Sequence, residues 1–104
     1  MNTIRIATAI SAALIAASAH GANPSAGKAR VETVCASCHG IRGISASPAF
    51  PNLAGQKEDY LRAALTGYRD GSRKNPIMVN MAAGLTDADI ADLAAYLSTL
   101  KPCD

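Results

Sequence analysis

The sequence predicts an all-α fold of about three main helices joined by long loops, on three observations. Apolar residues recur at helical spacing over residues 60–68 and 90–100. The stretches between them are rich in Gly, Ser and Pro and show no alternation of polar and apolar residues, so no strand is predicted. A length of 104 residues with 17% charged residues fits one folded domain.

The first 19 residues, 1–19, predict a secretory signal peptide. Arg5 precedes an apolar run of small and branched residues, and Ala17, Ser18 and Ala19 fit the A-x-A cleavage pattern. The run is too short for a membrane span, which needs about 20 apolar residues. We therefore expect an exported domain of residues 20–104, placed in the periplasm and without a membrane anchor.

The charge of the exported part excludes one class of partner. Loss of Arg5 from the 10 Lys and Arg leaves a net charge of +1 against 8 Asp and Glu. Nucleic-acid binding needs a concentrated positive footprint, so no nucleic-acid partner is expected. A domain of about 85 residues with few large core side chains is marginal alone, and a cofactor, metal or disulfide usually completes it.

The first predicted helix spans about residues 26–36. Ser25 is its predicted N-cap. Asn23 is the other candidate, with Pro24 at the first helical position. A loop over residues 40–55 follows.

Two more helices complete the predicted fold. The second spans about residues 57–70, and Gly71 suits its C-terminal end. A loop over 72–84 leads to the last helix, where Thr86 and Asp89 form a capping box. That helix buries a stripe of Ile90, Leu93, Ala94, Leu97 and Leu100.

The string Cys35-Ala36-Ser37-Cys38-His39 has the C-x-x-C-H pattern of a c-type haem attachment site. Two thiols three residues apart lie on one side of a helical turn, where they reach the two vinyl groups of one haem. His39 then offers its imidazole to the iron. Two other interpretations stay open at this point: a redox dithiol of Cys35 and Cys38, and a zinc site that adds His39 and Cys103.

A second axial ligand is needed for an electron carrier, and the residues alone leave it undecided. His20 lies at the new N-terminus, far along the chain from the motif. Met78 and Met81 lie about 40 residues after it, and a thioether ligand raises the potential of haem iron. Either methionine can alternatively fill the core.

The motif is one of an ordered set that resembles the class I cytochromes c. The closest likeness is to the small bacterial monohaem type with His and Met ligands, and to either half of the two-haem periplasmic cytochromes. It covers residues 26–100. It rests on Ala-Gly-Lys at 26–28, the haem motif, Phe-Pro-Asn-Leu-Ala-Gly-Gln at 50–56, Tyr-Leu at 60–61, Arg-Asp-Gly-Ser-Arg at 69–73 and Leu-Thr at 85–86.

The resemblance implies the cytochrome c fold, with long loops wrapping one haem c per chain, and it assigns roles. Cys35 and Cys38 would form the haem thioethers, and His39 would be the fifth iron ligand. The Pro51 carbonyl would accept a hydrogen bond from His39. Met78 would be the sixth ligand, and Met81 would take a core position.

The implied function is a periplasmic one-electron shuttle between Fe(III) and Fe(II), without enzymatic activity. Donor and acceptor redox proteins would dock weakly and transiently at the haem edge. A haem subunit of a larger oxidoreductase complex is an alternative. A ligand-binding or catalytic haem protein is another, if Met78 does not coordinate. We expect a monomer, with a dimer linked through Cys103 as the alternative.

Overall fold

The computed structural model describes residues 7–12 and 21–103. Within those ranges the chain forms helices and no strand, which confirms the all-α prediction. The five α-helices are α1 Pro24–Arg30, α2 Ala36–His39, α3 Glu58–Asp70, α4 Pro76–Ala82 and α5 Asp87–Thr99.

Residues 1–6 and 13–19 of the predicted leader lie outside the described ranges. Arg5, the cleavage pattern at residues 17–19 and His20 all lie there, so the leader stays a prediction. None of the helices in the described part of the chain is long and apolar enough to cross a bilayer.

The first helix is longer than predicted. α1 and α2 are joined without a break by a π-helical turn, Val31–Cys35, in which the Ala36 N–H donates to the Val31 carbonyl. The helical run therefore continues to His39 and carries the whole motif, and the predicted end at residue 36 is wrong. Gly40, at φ +82°, ends it.

The N-cap of the first helix is Asn23, and the preference for Ser25 is wrong. The Asn23 side-chain oxygen accepts from the Ser25 and Ala26 N–H groups, at 3.0 and 3.2 Å. Pro24 then occupies the first helical position, where its missing N–H costs nothing.

The same Asn-Pro signal starts a helix that was not predicted. Asn75 accepts hydrogen bonds from the Ile77 and Met78 N–H groups, at 3.1 and 3.0 Å. Pro76 is again the first residue of the helix. α4 thus interrupts the stretch predicted as a loop over 72–84, and it carries both Met78 and Met81.

The end of α3 and the start of α5 agree with the signals in the sequence. α3 ends at Gly71, whose φ of +84° is the left-handed conformation that favours glycine. The capping box of α5 is confirmed: Thr86 Oγ accepts from the Asp89 N–H at 3.1 Å, and Asp89 accepts from the Thr86 N–H at 2.9 Å. The hydrogen bond from the Thr86 N–H lowers the pKa of Asp89 below its usual range, and the Arg30 charge adds to this.

The core forms where α1 and the following turn cross α5, with α3 closing it. Its buried members are Val31, Leu61, Leu93, Ala94 and Leu97, and Cys35 packs against them. Because Gly27 has no side chain, α1 and α5 can approach each other closely where they cross. A Cβ at that position would collide with the Asp92 carbonyl and lie 3.0 Å from Tyr96 Cβ.

Replacement of Gly27 by Ala therefore lowers the free energy of unfolding, by about 2 kcal/mol or more, because the added methyl group forces the two helices apart. Denaturant unfolding of the purified protein measures this. Gly84→Ala is the matched control, since no atom lies within 4 Å of a Cβ there. Its stability should stay within about 0.5 kcal/mol of the parent. Equal losses in the two variants would contradict the close crossing.

Candidate functional site

The two motif thiols and the imidazole lie at the end of the first helical run. Cys35 and Cys38 are both free and both half-buried. Burial raises the pKa of the Cys35 thiol above its usual range, and the Arg30 charge only partly offsets this. Residues three and four apart on a helix share one face. Cys35, Cys38 and His39 thus direct two thiols and an imidazole toward one side.

The His39 ring is buried and held by one hydrogen bond. It is 7% exposed, and its Nδ1 lies 2.8 Å from the Pro51 carbonyl oxygen. A carbonyl oxygen only accepts, so Nδ1 carries the proton. In the neutral ring Nε2 is then left with a free lone pair. Phe50 packs edge-on against the ring, at 6.4 Å between centroids. The contact implied for Pro51 by the resemblance is present in the structure.

An apolar cavity lies beside Cys35, and both methionines contribute to its wall. Leu65, Leu85 and Leu93 supply much of the rest. Met78 is half-buried, whereas Met81 is 45% exposed. The structure thus brings the two candidate sixth ligands to the first motif cysteine. Cys38 and His39 do not line this cavity.

Two arginines beside this cavity bind the residue before the cap of α5 and the first turn of that helix. Arg69 donates to the Leu85 carbonyl at 3.1 Å and to Asp87 at 2.6 Å. Arg30, which lines the cavity, pairs with Asp89 at 3.2 Å. No local sequence pattern marks this role of either arginine, because their partners lie 18 and 59 residues away.

Residues 7–12 and 21–103 support neither the zinc site nor the thioredoxin-like dithiol. Cys103 lies exposed on the tail, and no three His, Cys, Asp or Glu side chains in that part of the chain are placed to hold a metal ion. A thioredoxin-like dithiol normally follows a strand in a βαβ unit. No strand is present in the described ranges.

The donor set fits a covalently bound haem. Two unpaired thiols three residues apart can each form a thioether, and an imidazole with a free Nε2 follows directly. The wall beside Cys35 is apolar and open, since Val34 and Met81 are 40% and 45% exposed. A flat apolar group bound there would cover both side chains.

Comparison with known proteins points the same way. The cytochrome c family profile matches residues 24–101. Cytochrome c-554(548) of Halomonas halodenitrificans is 47% identical over 77 residues, which are 71% of this chain and 92% of that protein. The thiosulfate dehydrogenase electron acceptor of Stutzerimonas stutzeri is 40% identical over 85 residues, which are 81% of this chain but 37% of that protein.

A solved structure supports the fold. Cytochrome c4 of Acidithiobacillus ferrooxidans superposes with a TM-score of 0.72 at 37% identity, over 81% of this chain and 53% of that one. The chain therefore spans about half of this longer relative.

Asn75→Ala should lower the free energy of unfolding by about 1 kcal/mol, because it removes the N-cap of the helix that carries both methionines. Chemical unfolding of the purified protein provides the value. Asn75→Asp is the control, since its carboxylate caps equally well and should retain stability. If Asp destabilised as much as Ala, the capping role would be refuted.

Proposed function

The chain belongs to the cytochrome c family and carries covalently attached haem c for electron transfer, and from this premise we propose that it is an exported one-electron carrier that is not itself an enzyme. Bound haem supplies the iron that takes up and releases a single electron. The observation that carries the proposal is the array of free Cys35 and Cys38 thiols beside a buried His39 with Nε2 available.

The proposed roles at the motif follow from donor chemistry. Cys35 and Cys38 hold the haem through two thioethers, so the group cannot dissociate. His39 binds iron through Nε2, because its Nδ1 proton is engaged by Pro51. The hydrogen bond to the Pro51 carbonyl fixes the tautomer and makes the imidazole a stronger donor.

Met78 is the proposed sixth ligand. Its place in the resemblance, its half-buried position and its location on the cavity wall beside Cys35 all support this choice. Met81 faces the same cavity but is more exposed. With His and Met both bound, the iron keeps no open position for a substrate, which favours a carrier over a catalytic or gas-binding haem protein.

The sequence and the site both support export. Residues 1–19 are the proposed signal peptide and residues 20–104 the proposed domain. Thioether attachment takes place outside the bacterial cytoplasm, which agrees with a leader ahead of the haem motif. The proposed location is the periplasm.

The proposed partners are redox proteins that dock transiently at the haem edge. A relative that is named as the electron acceptor of thiosulfate dehydrogenase supports this kind of partner. Such contacts are small, so the protein should purify alone. Copurification with a stoichiometric dehydrogenase or oxidase would instead favour the bound-subunit alternative.

The proposed oligomeric state is a monomer. Cys103 lies exposed on the tail as a free thiol, so a disulfide-linked dimer is the alternative.

Met78→Ala should abolish the low-spin spectrum of the reduced protein, because removal of the thioether leaves the iron with one strong axial ligand. Visible spectra of the oxidised and reduced protein, exported in a host with haem-attachment machinery, provide the test. Met81→Ala is the matched control and should keep the low-spin spectrum.

The reverse pattern would assign the sixth position to Met81. A low-spin spectrum that survives in both single variants would contradict Met78 as the required sixth ligand. A high-spin parent protein would contradict the electron-carrier proposal and favour a ligand-binding haem protein.

A further inference from the structure

The loop after the haem motif returns to the motif through a closed series of hydrogen bonds. His39 Nδ1 donates to the Pro51 carbonyl at 2.8 Å, and Asn52 Oδ1 accepts from the Ser45 N–H at 2.8 Å. Ser45 Oγ in turn lies 3.2 Å from the Cys38 carbonyl. Because Cys38 directly precedes His39 and Pro51 directly precedes Asn52, these contacts form one closed ring.

The ring acts on the atom that holds His39. The oxygen that accepts from Nδ1 belongs to the peptide between Pro51 and Asn52. The proline ring fixes the N–Cα torsion of Pro51, which limits the movement of the backbone that leads into this peptide. On its other side, the Asn52 side chain is anchored to the Ser45 N–H, so the peptide lies between two restrained residues.

Backbone contacts next to the ring hold the two residues that follow Asn52. The Gly43 carbonyl accepts from the Leu53 and Ala54 N–H groups, at 2.8 and 3.0 Å. Gly43 is buried at φ +72°, and a Cβ there would lie 2.9 Å from the Ala54 nitrogen. These backbone contacts have no side chain that a substitution could remove. Asn52 and Ser45 are therefore the side chains through which the ring can be tested.

We propose that Asn52 and Ser45 are positioning residues that fix the orientation of the His39 imidazole through the Pro51–Asn52 peptide. Neither touches the imidazole itself. This inference rests on the proposed function, in which His39 binds haem iron. The Ser45 hydroxyl has one hydrogen and lies within hydrogen-bond distance of two carbonyls, that of Cys38 at 3.2 Å and that of Ser47 at 2.9 Å. Loss of that hydroxyl removes the contact that joins the ring to the Cys38 carbonyl.

A loosened ring has two measurable consequences. The Nδ1 proton of His39 exchanges with solvent more often, because its hydrogen bond opens more often. The imidazole also becomes a weaker donor to the iron, since the hydrogen bond at Nδ1 is what raises its basicity. A weaker donor stabilises Fe(III) less, so the reduction potential rises.

The experiment is a double-variant cycle on the haem-loaded protein. Asn52→Ala, Ser45→Ala and the double variant are compared by NMR exchange of the His39 Nδ1 proton in the reduced state and by reduction potential. Each single variant should exchange about fivefold faster than the parent, as expected for loss of one net hydrogen bond. Because one break already opens a ring, the double variant should lie within about twofold of the faster single variant.

Two controls separate positioning from general loosening. Asn52→Asp keeps an acceptor for the Ser45 N–H and should exchange like the parent. Ser47→Ala removes another hydroxyl contact of the same loop, to the Ala49 N–H at 3.2 Å, that lies outside the ring. Ser47→Ala should leave both exchange and potential unchanged.

Parent-like exchange in both single variants would overturn the inference, and so would an equal acceleration in Ser47→Ala. If the two fivefold increases in exchange rate multiplied, to about 25-fold in the double variant, the two contacts would be independent and would not act as a ring. The parent spectrum separates this test from the proposed function. A parent protein without low-spin haem refutes the function, whereas a low-spin parent with unresponsive variants refutes only the positioning role.

Discussion

The hydrogen bond from His39 Nδ1 to the Pro51 carbonyl is the contact on which the rest of the site depends. It joins residues 12 apart in sequence and sets the tautomer of a buried imidazole. Without it, either ring nitrogen of His39 would be free to carry the proton. With it, the imidazole has one donor direction, and the loop over residues 40–55 gains a fixed position against the helix that bears the thiols.

The helical frame keeps that contact in place, yet it leaves the core incomplete on one side. The close crossing at Gly27 and the ion pair of Arg30 with Asp89 hold the first and last helices together. Cys35 lies where this core meets the apolar cavity, whose outer wall is open to solvent. A covalently held haem at this place would complete the core of a small domain. The same group would then contribute to stability and carry the electron.

Local signals in the sequence account for most of the fold and for the motif, but tertiary contacts decide the rest. The apolar periodicity and caps of α3 and α5 predict those helices, and C-x-x-C-H predicts the donor set. α4 was missed because a seven-residue helix shows too little periodicity, although Asn75-Pro76 marks its start. The pairing of Ser45 with Asn52 was missed because it forms only when the loop folds back on the motif. Met78 was singled out by resemblance alone, since spacing cannot rank it against Met81.

The most direct test of covalent haem attachment is the intact mass of the denatured protein recovered from the periplasm of a host that attaches haem. The expected mass is that of residues 20–104 plus one haem, retained after denaturation because two thioethers hold it. The bare mass of that chain in a host proven to attach haem, or a haem lost on denaturation, would contradict it.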